Sequence, residues 1–216
     1  MIHKATTVAG VILAGGKSSR MNYTDKPLIK VGGKLIIEHI LRVARTQVDP
    51  LIINTNRNID HYTCFNLPIL KDCKGEFAGP MAGILTAINW VKVHHPDAQA
   101  VACFPGDVPW FPDDIVERMS LAMHNQDVEV VWLRTNGQVQ PLFSLWSVGL
   151  AGALDDALNR GMYSPLQFIL SRKNTVVEYI NEWPGAFMNI NTPEDLAQAE
   201  DLSVQLAAFS GARLTH

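Results

Sequence analysis

The sequence predicts a doubly wound α/β domain, a mostly parallel sheet with helices on both faces. Three observations predict it. Short apolar runs alternate with longer amphipathic stretches along most of the chain. The apolar runs are continuous, as suits strands covered on both faces. The first run is followed at once by Gly15-Gly16, with Lys17, Arg20 and Lys26 close behind. Alternating strand and helix gives a parallel sheet, and such sheets take ligands beyond the carboxyl ends of their strands.

Taken in order, Val8-Ala-Gly-Val-Ile-Leu13 reads as a buried strand and residues 35–45 as a helix. Residues 51–53 and 68–70 read as strands. Met81, Ile84, Leu85 and Ile88 fall at i, i+3, i+4, i+7 and make one apolar helical stripe. Residues 100–104 read as a central strand, 113–124 as a helix, 128–133 as a strand and 141–145 as another. Ser164-Pro165 has the form of an N-cap with proline at the first helical position. Thr192-Pro193-Glu194-Asp195 repeats that signal with acids in the first turn. Leu196, Ala199, Leu202 and Leu206 give the helix that follows an apolar stripe. All of 1–216 reads as one domain, with 210–216 expected to be a loose tail. If the strands run parallel, the residues after them converge on one crevice: Ala14-Gly15-Gly16, Asn54, Asp72 and Gly106-Asp107.

The composition bounds the function. A chain of 216 residues that is 47% hydrophobic and 18% charged folds into a globule and is not disordered. A net charge of −3 excludes a broadly basic nucleic-acid surface but leaves room for a local anion pocket. Three cysteines, Cys64, Cys73 and Cys103, are too few for a disulfide framework, and none is spaced for zinc. Buried free thiols in a reducing compartment are expected. The seven histidines show no zinc spacing either. The apolar run near the N-terminus is too short to span a membrane and lacks the layout of a signal peptide. A cytoplasmic protein with no membrane or nucleic-acid partner is the expectation.

Two glycine motifs are excluded. A P-loop ending in Gly16-Lys17-Ser18 needs glycine at position 11, where the chain has Val11. A dinucleotide fingerprint fails because Gly10 is followed by Ile12 and Gly15 at the positions that matter. The longer string Leu13-Ala-Gly-Gly-x-Ser-x-Arg-Met21, with Asp25-Lys26 shortly after, is more specific. It resembles the signature of nucleotidyltransferases with a Rossmann-like, glycosyltransferase-A-like fold. Over residues 8–200 the sequence most resembles the molybdenum cofactor guanylyltransferase family. The family usually has glycine after Arg-Met, where this chain has Asn22.

The resemblance implies roles. Leu13, Ala14, Gly15 and Gly16 would lie against a nucleotide, and Arg20 and Lys26 would hold its phosphates. Asp107, between Pro105 and Pro109, would be the ligand of a Mg²⁺ cofactor and would share the catalytic work with Arg20 and Lys26. Asn54 and Asp72 would contact the guanine nucleotide. A carboxylate suits guanine, whose edge carries N1–H and N2–H₂ donors, although backbone groups could serve equally. Gly79-Pro80-Met-Ala-Gly83 resembles the guanylyltransferase form of the next helix start and favours GTP over CTP. Its glycines would let the ligand lie close to the backbone. Asn189 and Asn191, in Met188-Asn-Ile-Asn-Thr-Pro193, and Gln140 would lie on the acceptor side. The implied substrates are GTP and molybdopterin, or its metal-loaded form, with transient contacts to cofactor-synthesis and acceptor enzymes. The alternatives are a pterin cytidylyltransferase, a sugar-phosphate nucleotidyltransferase, or a nucleotide-binding regulatory module without catalysis.

Overall fold

The computed structural model describes residues 7–15, 25–74, 79–180, 183 and 185–212. Its elements in chain order are β1 (Val8–Leu13), β2 (Lys30–Val31), β3 (Lys34–Leu35), α1 (Ile36–Ala44), β4 (Leu51–Asn54), β5 (Ile69–Leu70), α2 (Gly79–His94) and β6 (Ala100–Pro105). Then follow α3 (Ile115–Gln126), β7 (Val130–Thr135), β8 (Gln138–Ser147), α4 (Ala151–Asn159), α5 (Pro165–Leu170), β9 (Asn174–Tyr179) and α6 (Pro193–Ala212). A seven-stranded sheet has the order β5-β4-β1-β6-β8-β7-β9. β1 pairs in parallel with β4 and β6, and β4 with β5. β8 runs antiparallel to both neighbours, and β7 pairs in parallel with β9. The expected mostly parallel sheet is therefore present, with one reversed strand in its interior.

Strand side chains alternate between two cores, as the period of two requires. Ala9, Val11, Leu13, Ile52, Val101, Cys103 and Trp146 pack with α2, α4 and α5 on one face. Val8, Ile12, Ile53, Ala102, Phe104 and Phe143 pack with α1, α3 and Ala199 of α6 on the other. α2 sits centrally over β1, β4 and β6. Its buried residues run from Met81 to Val91, wider than the stripe read from sequence. α1 begins where Glu38 Oε2 accepts the Leu35 N–H at 2.6 Å, which satisfies one donor at the open helix end.

The structure corrects several boundaries. The strand expected at 128–133 runs Val130–Thr135. Glu129 lies just before it, and its carboxylate takes a bidentate pair from Arg172, at 3.1 and 2.5 Å. α6 continues to Ala212, into the stretch expected to be a tail. Of the three thiols only Cys103 is buried, whereas Cys64 and Cys73 are exposed. Burial pushes the Cys103 thiol pKa well up and leaves it an inert core group.

Gly10 shows how tightly the sheet packs. A Cβ there would lie 2.4 Å from Val48 Cγ2, 3.0 Å from Leu51 Cδ1 and 3.1 Å from Phe104 Cε2. Gly10→Ala should lower the midpoint of thermal unfolding, with an overpacking cost of roughly 1–3 kcal/mol. An unchanged midpoint by circular dichroism would mean that Val48 moves aside freely.

Candidate active site

The carboxyl ends of β1 and β6 meet in a crevice of about 110 Å³ lined by Leu13, Ala14, Gly15, Asp25, Lys26, Pro27, Pro80, Pro105, Gly106, Asp107 and Leu142. A larger cavity of about 560 Å³ lies at the opposite end of the strands, beside Val8, Ala100 and Ser147. The parallel-sheet rule and the charged groups both favour the smaller one.

Gly106 brings the two strand ends together. Its N–H donates to Leu13 O at 3.1 Å. A Cβ at this position would lie 2.7 Å from Leu13 O, 3.0 Å from Ala14 Cα and 3.0 Å from Pro27 Cγ. Only glycine leaves the β6 turn this close to β1. Asp107 then projects at the crevice with its side chain 24% exposed. Lys26 Nζ reaches Asp107 Oδ2 at 3.2 Å and also donates to Asn191 Oδ1.

Asn191 arrives from the far end of the chain through backbone pairing. Phe187 N donates to Trp110 O at 2.8 Å, and Ile190 N donates to Asp107 O at 2.9 Å. Phe187 has a φ of 63°. Its ring is held by Phe143 and Tyr179, with centroids at 5.0 and 5.7 Å. The expected cap at Thr192 is present: Asp195 N donates to Thr192 Oγ1 at 3.1 Å. Asp195 Oδ2 accepts in return from the N–H groups of Asn191 and Thr192, both at 2.9 Å. This reciprocal cap fixes the residue that faces Lys26. The Asn191 N–H leads in holding the Asp195 carboxyl below the usual range, and the Lys26 charge adds to it. The stabilisation is thus in place above the ordinary Asp pKa, about 3.9, and fades as pH falls through the lower folded value.

A second cluster lies beside the ends of β4 and β5. Asn54 is 4% exposed. Its Nδ2 donates to Leu70 O at 3.2 Å and to Asp72 Oδ1 at 2.9 Å. Asn56 Nδ2 donates to Asp72 Oδ2 at 2.7 Å, and Asn56 Oδ1 accepts from Asp72 N at 2.8 Å. Asn58 Nδ2 donates to Asp25 Oδ2 at 2.8 Å. Burial first and the Asp25 charge second raise the Tyr62 phenol. Sequence reading singled out neither Asn56 nor Asn58. The run of asparagines at 54, 56 and 58 is the signal that could have found them, since amides clustered just beyond a strand's carboxyl end supply donors and acceptors at the site.

The structure thus brings Lys26, Asp107 and Asn191 together and sets Asn54 against Asp72. Leu13, Ala14, Gly15 and Pro80 line the crevice. Gly79 holds a φ of +62° at the start of α2. Gly83 is packed against the Asn54 side of the site. The space where its Cβ would stand is taken by Asn54 Oδ1, 2.2 Å away, and by Leu13 Cδ2, 2.9 Å away. It lets the helix seat Asn54. Gln140 is buried and donates to Thr135 Oγ1 at 3.4 Å, inside the β7–β8 hairpin. Asn189 is exposed and does not line the crevice. Gly16, Arg20 and Asn22 lie outside the described residues.

No group of three or more His, Cys, Asp or Glu side chains gathers to hold a metal among the described residues. Asp107, at the crevice and already facing an ammonium, suits a cation that takes one carboxylate and fills its shell with phosphate oxygens and water. Among the described residues, no helix is long and apolar enough to cross a membrane.

Gly15 in the crevice after the first strand, a lysine–carboxylate pair beside the strand ends and this sheet order define a nucleotidyltransferase-type α/β protein. Residues 10–176 match the model of the MobA-like NTP transferase domain. The chain belongs to that family, among its molybdenum cofactor guanylyltransferases. A molybdenum cofactor guanylyltransferase of Bradyrhizobium sp. is 34% identical over 203 residues, 92% of this chain and 94% of the relative. One from Haemophilus influenzae is 34% identical over 190 residues, 88% and 96% of the two chains. In fold, the chain matches molybdopterin-guanine dinucleotide biosynthesis protein A of Archaeoglobus fulgidus with a TM-score of 0.73 at 19% identity, over 91% and 99% of the chains. It matches a Mycobacterium tuberculosis protein solved in complex with manganese with a TM-score of 0.64 at 17% identity, over 91% and 99%.

The Gly83 contact makes a prediction. Gly83→Ala should displace Asn54, release Asp72 and weaken guanine-nucleotide binding severalfold, besides an overpacking cost of roughly 1–3 kcal/mol. Titration calorimetry on the folded variant reads the affinity. Wild-type affinity would mean that the placement of Asn54 has no bearing on the nucleotide.

Proposed function

We propose that this chain transfers GMP from GTP to the terminal phosphate of molybdopterin, forming the guanine dinucleotide form of the cofactor and pyrophosphate. Membership of the family supports the reaction class. The observation that carries the site assignment is the Lys26–Asp107 pair, which joins two crevice-lining residues 81 positions apart in the chain.

In this reading an oxygen of the pterin phosphate attacks the α-phosphorus of GTP. The bond from that phosphorus to the bridging oxygen of the β-phosphate breaks, and that oxygen leaves with pyrophosphate. A phosphate monoester is anionic near neutral pH, so no strong general base is required. Catalysis rests on alignment and on neutralising charge. Ala14, Gly15 and Gly16 bring backbone close to the phosphates. Lys26, with Arg20, exchanges its protein partners for phosphate oxygens and stabilises the charge that develops on pyrophosphate. Asn191, set by its helix cap, holds Lys26 in place before that exchange. Asp107 holds a divalent cation, Mg²⁺ in this reading, which supplies positive charge to the phosphates when bound. Asn54 seats Asp72, whose carboxylate accepts from the N1–H and N2–H₂ groups of guanine. The pterin acceptor approaches from the side of Asn189, Asn191 and the β7–β8 hairpin that contains Gln140. Because the pterin is labile, transient contacts with the enzymes that deliver it and receive the product follow.

The reaction is tested by pyrophosphate release with each of the four NTPs, with and without molybdopterin. Release should need GTP and molybdopterin together. Equal rates with CTP would overturn the guanine assignment. Asp107→Asn keeps the shape and removes the anionic ligand, so turnover should fall on the order of a hundredfold, the scale of one lost transition-state electrostatic contact. The circular dichroism spectrum should not change, because the side chain is partly exposed. A folded Asp107→Asn protein with wild-type turnover and metal dependence would place the metal elsewhere.

A further inference from the structure

We propose that Asn56 is a positioning residue for base selection, holding the Asp72 carboxylate in the orientation that discriminates guanine from bases lacking the 2-amino group. The proposal rests on the reading that Asp72 accepts from the guanine edge.

Three features of the site carry it. First, each oxygen of Asp72 receives one amide donor, Oδ1 from Asn54 at 2.9 Å and Oδ2 from Asn56 at 2.7 Å. An ionised carboxylate offers about four acceptor sites. Two amides therefore fix the group and leave both oxygens able to accept again. Guanine presents neighbouring N1–H and N2–H₂ donors that call for such a pair of oxygens. Second, Asn56 is locked in turn. Its Oδ1 accepts from the Asp72 N–H at 2.8 Å while its Nδ2 donates to the same residue. Main chain and side chain of Asp72 are thereby tied to a single amide, and the reciprocal bonds settle which way that amide faces. Third, the flanking backbone is pinned. Thr55 Oγ1 donates to Arg57 O at 3.1 Å and accepts from Arg57 N at 3.2 Å. Cys73 N donates to Thr86 Oγ1 at 2.8 Å, tying the turn to α2.

Asn54 and Asn56 divide the work. Asn54 is buried and its Nδ2 also bonds Leu70 O, so it belongs to the sheet as well as to the site. Asn56 is exposed, and its side-chain bonds go to Asp72. Removing it should leave the fold intact and loosen the carboxylate. A rotating carboxylate can still accept one donor. It loses the paired geometry that distinguishes two donors from one.

The test is titration calorimetry of the full-length protein with GTP and with ITP, in Mg²⁺. The base of ITP keeps N1–H and lacks the 2-amino group. Wild-type protein should prefer GTP. Asn56→Ala should weaken GTP roughly tenfold, the low end for a hydrogen bond to a charged group, while ITP weakens much less. The GTP/ITP ratio should therefore fall toward one. Asn56→Asp, which sets a second carboxylate against Asp72, should be at least as severe. Asn56→Ser gives the same readout if the alanine variant fails to fold. Equal weakening of both nucleotides would reduce Asn56 to a structural residue and overturn the proposal. So would a wild-type ratio in Asn56→Ala while Asp72→Asn has lost discrimination. A wild-type ratio in Asp72→Asn would instead overturn the base reading on which the proposal rests.

Discussion

The Lys26–Asp107 pair is the contact on which the rest of the site depends. Its two ends belong to different segments, and each is placed by a separate piece of packing. Asp107 stands where it does because Gly106 lets the end of β6 touch the end of β1. Lys26 opens a short 3₁₀ turn whose Pro27 lies against the same glycine. Asn191, the third partner, is delivered by a strand-like pairing of residues 187–190 with the loop after β6 and is fixed by the Asp195 cap. Three regions of the chain thus converge on one partly exposed ion pair. Such a pair contributes little to stability, since partly exposed ion pairs are commonly worth about 0–1 kcal/mol. In the function proposed above, its value lies in holding a cation and a carboxylate close, ready to separate onto a triphosphate and a divalent ion.

Glycine placement does for backbone what the ion pair does for side chains. Gly10, Gly83 and Gly106 each stand where a Cβ would enter occupied space, and each keeps a different pair of elements in contact. Gly10 lets Val48, Leu51 and Phe104 close over β1. Gly83 lets α2 seat Asn54, and Gly106 joins β1 to β6. Gly15 is different, because among the described residues nothing lies within 4 Å of its missing side chain. That position is part of the crevice lining.

Much of this was legible in the sequence, and the physical reason is visible in particular elements. β1, β4 and β6 are buried on both faces, so their apolar runs are continuous and their ends point to the crevice residues. The cap at Thr192 was readable because it is local. β9 was not, because it is a half-buried edge strand whose residues lack a clean alternation. The two-residue β2 and β3 carry too short a pattern to see. The reversed direction of β8 depends on the tight hairpin at Asn136-Gly137, which the apolar pattern of the strand does not record. In the site, residue types that carry charge were found first. The amides of Asn56 and Asn58 were missed because their role lies in whom they hold, and that depends on chain neighbours brought together by the fold.

The central claim is that Lys26 and Asp107 exchange one another for the phosphates and the metal while Asp72 meets the base. A crystal structure of the chain with Mg²⁺ and a GTP analogue whose α–β bridge cannot be cleaved tests it most directly. The account predicts the divalent ion on Asp107, Lys26 on phosphate oxygens and the guanine edge on Asp72. Lys26 still paired to Asp107, with the nucleotide bound away from both clusters, would contradict it.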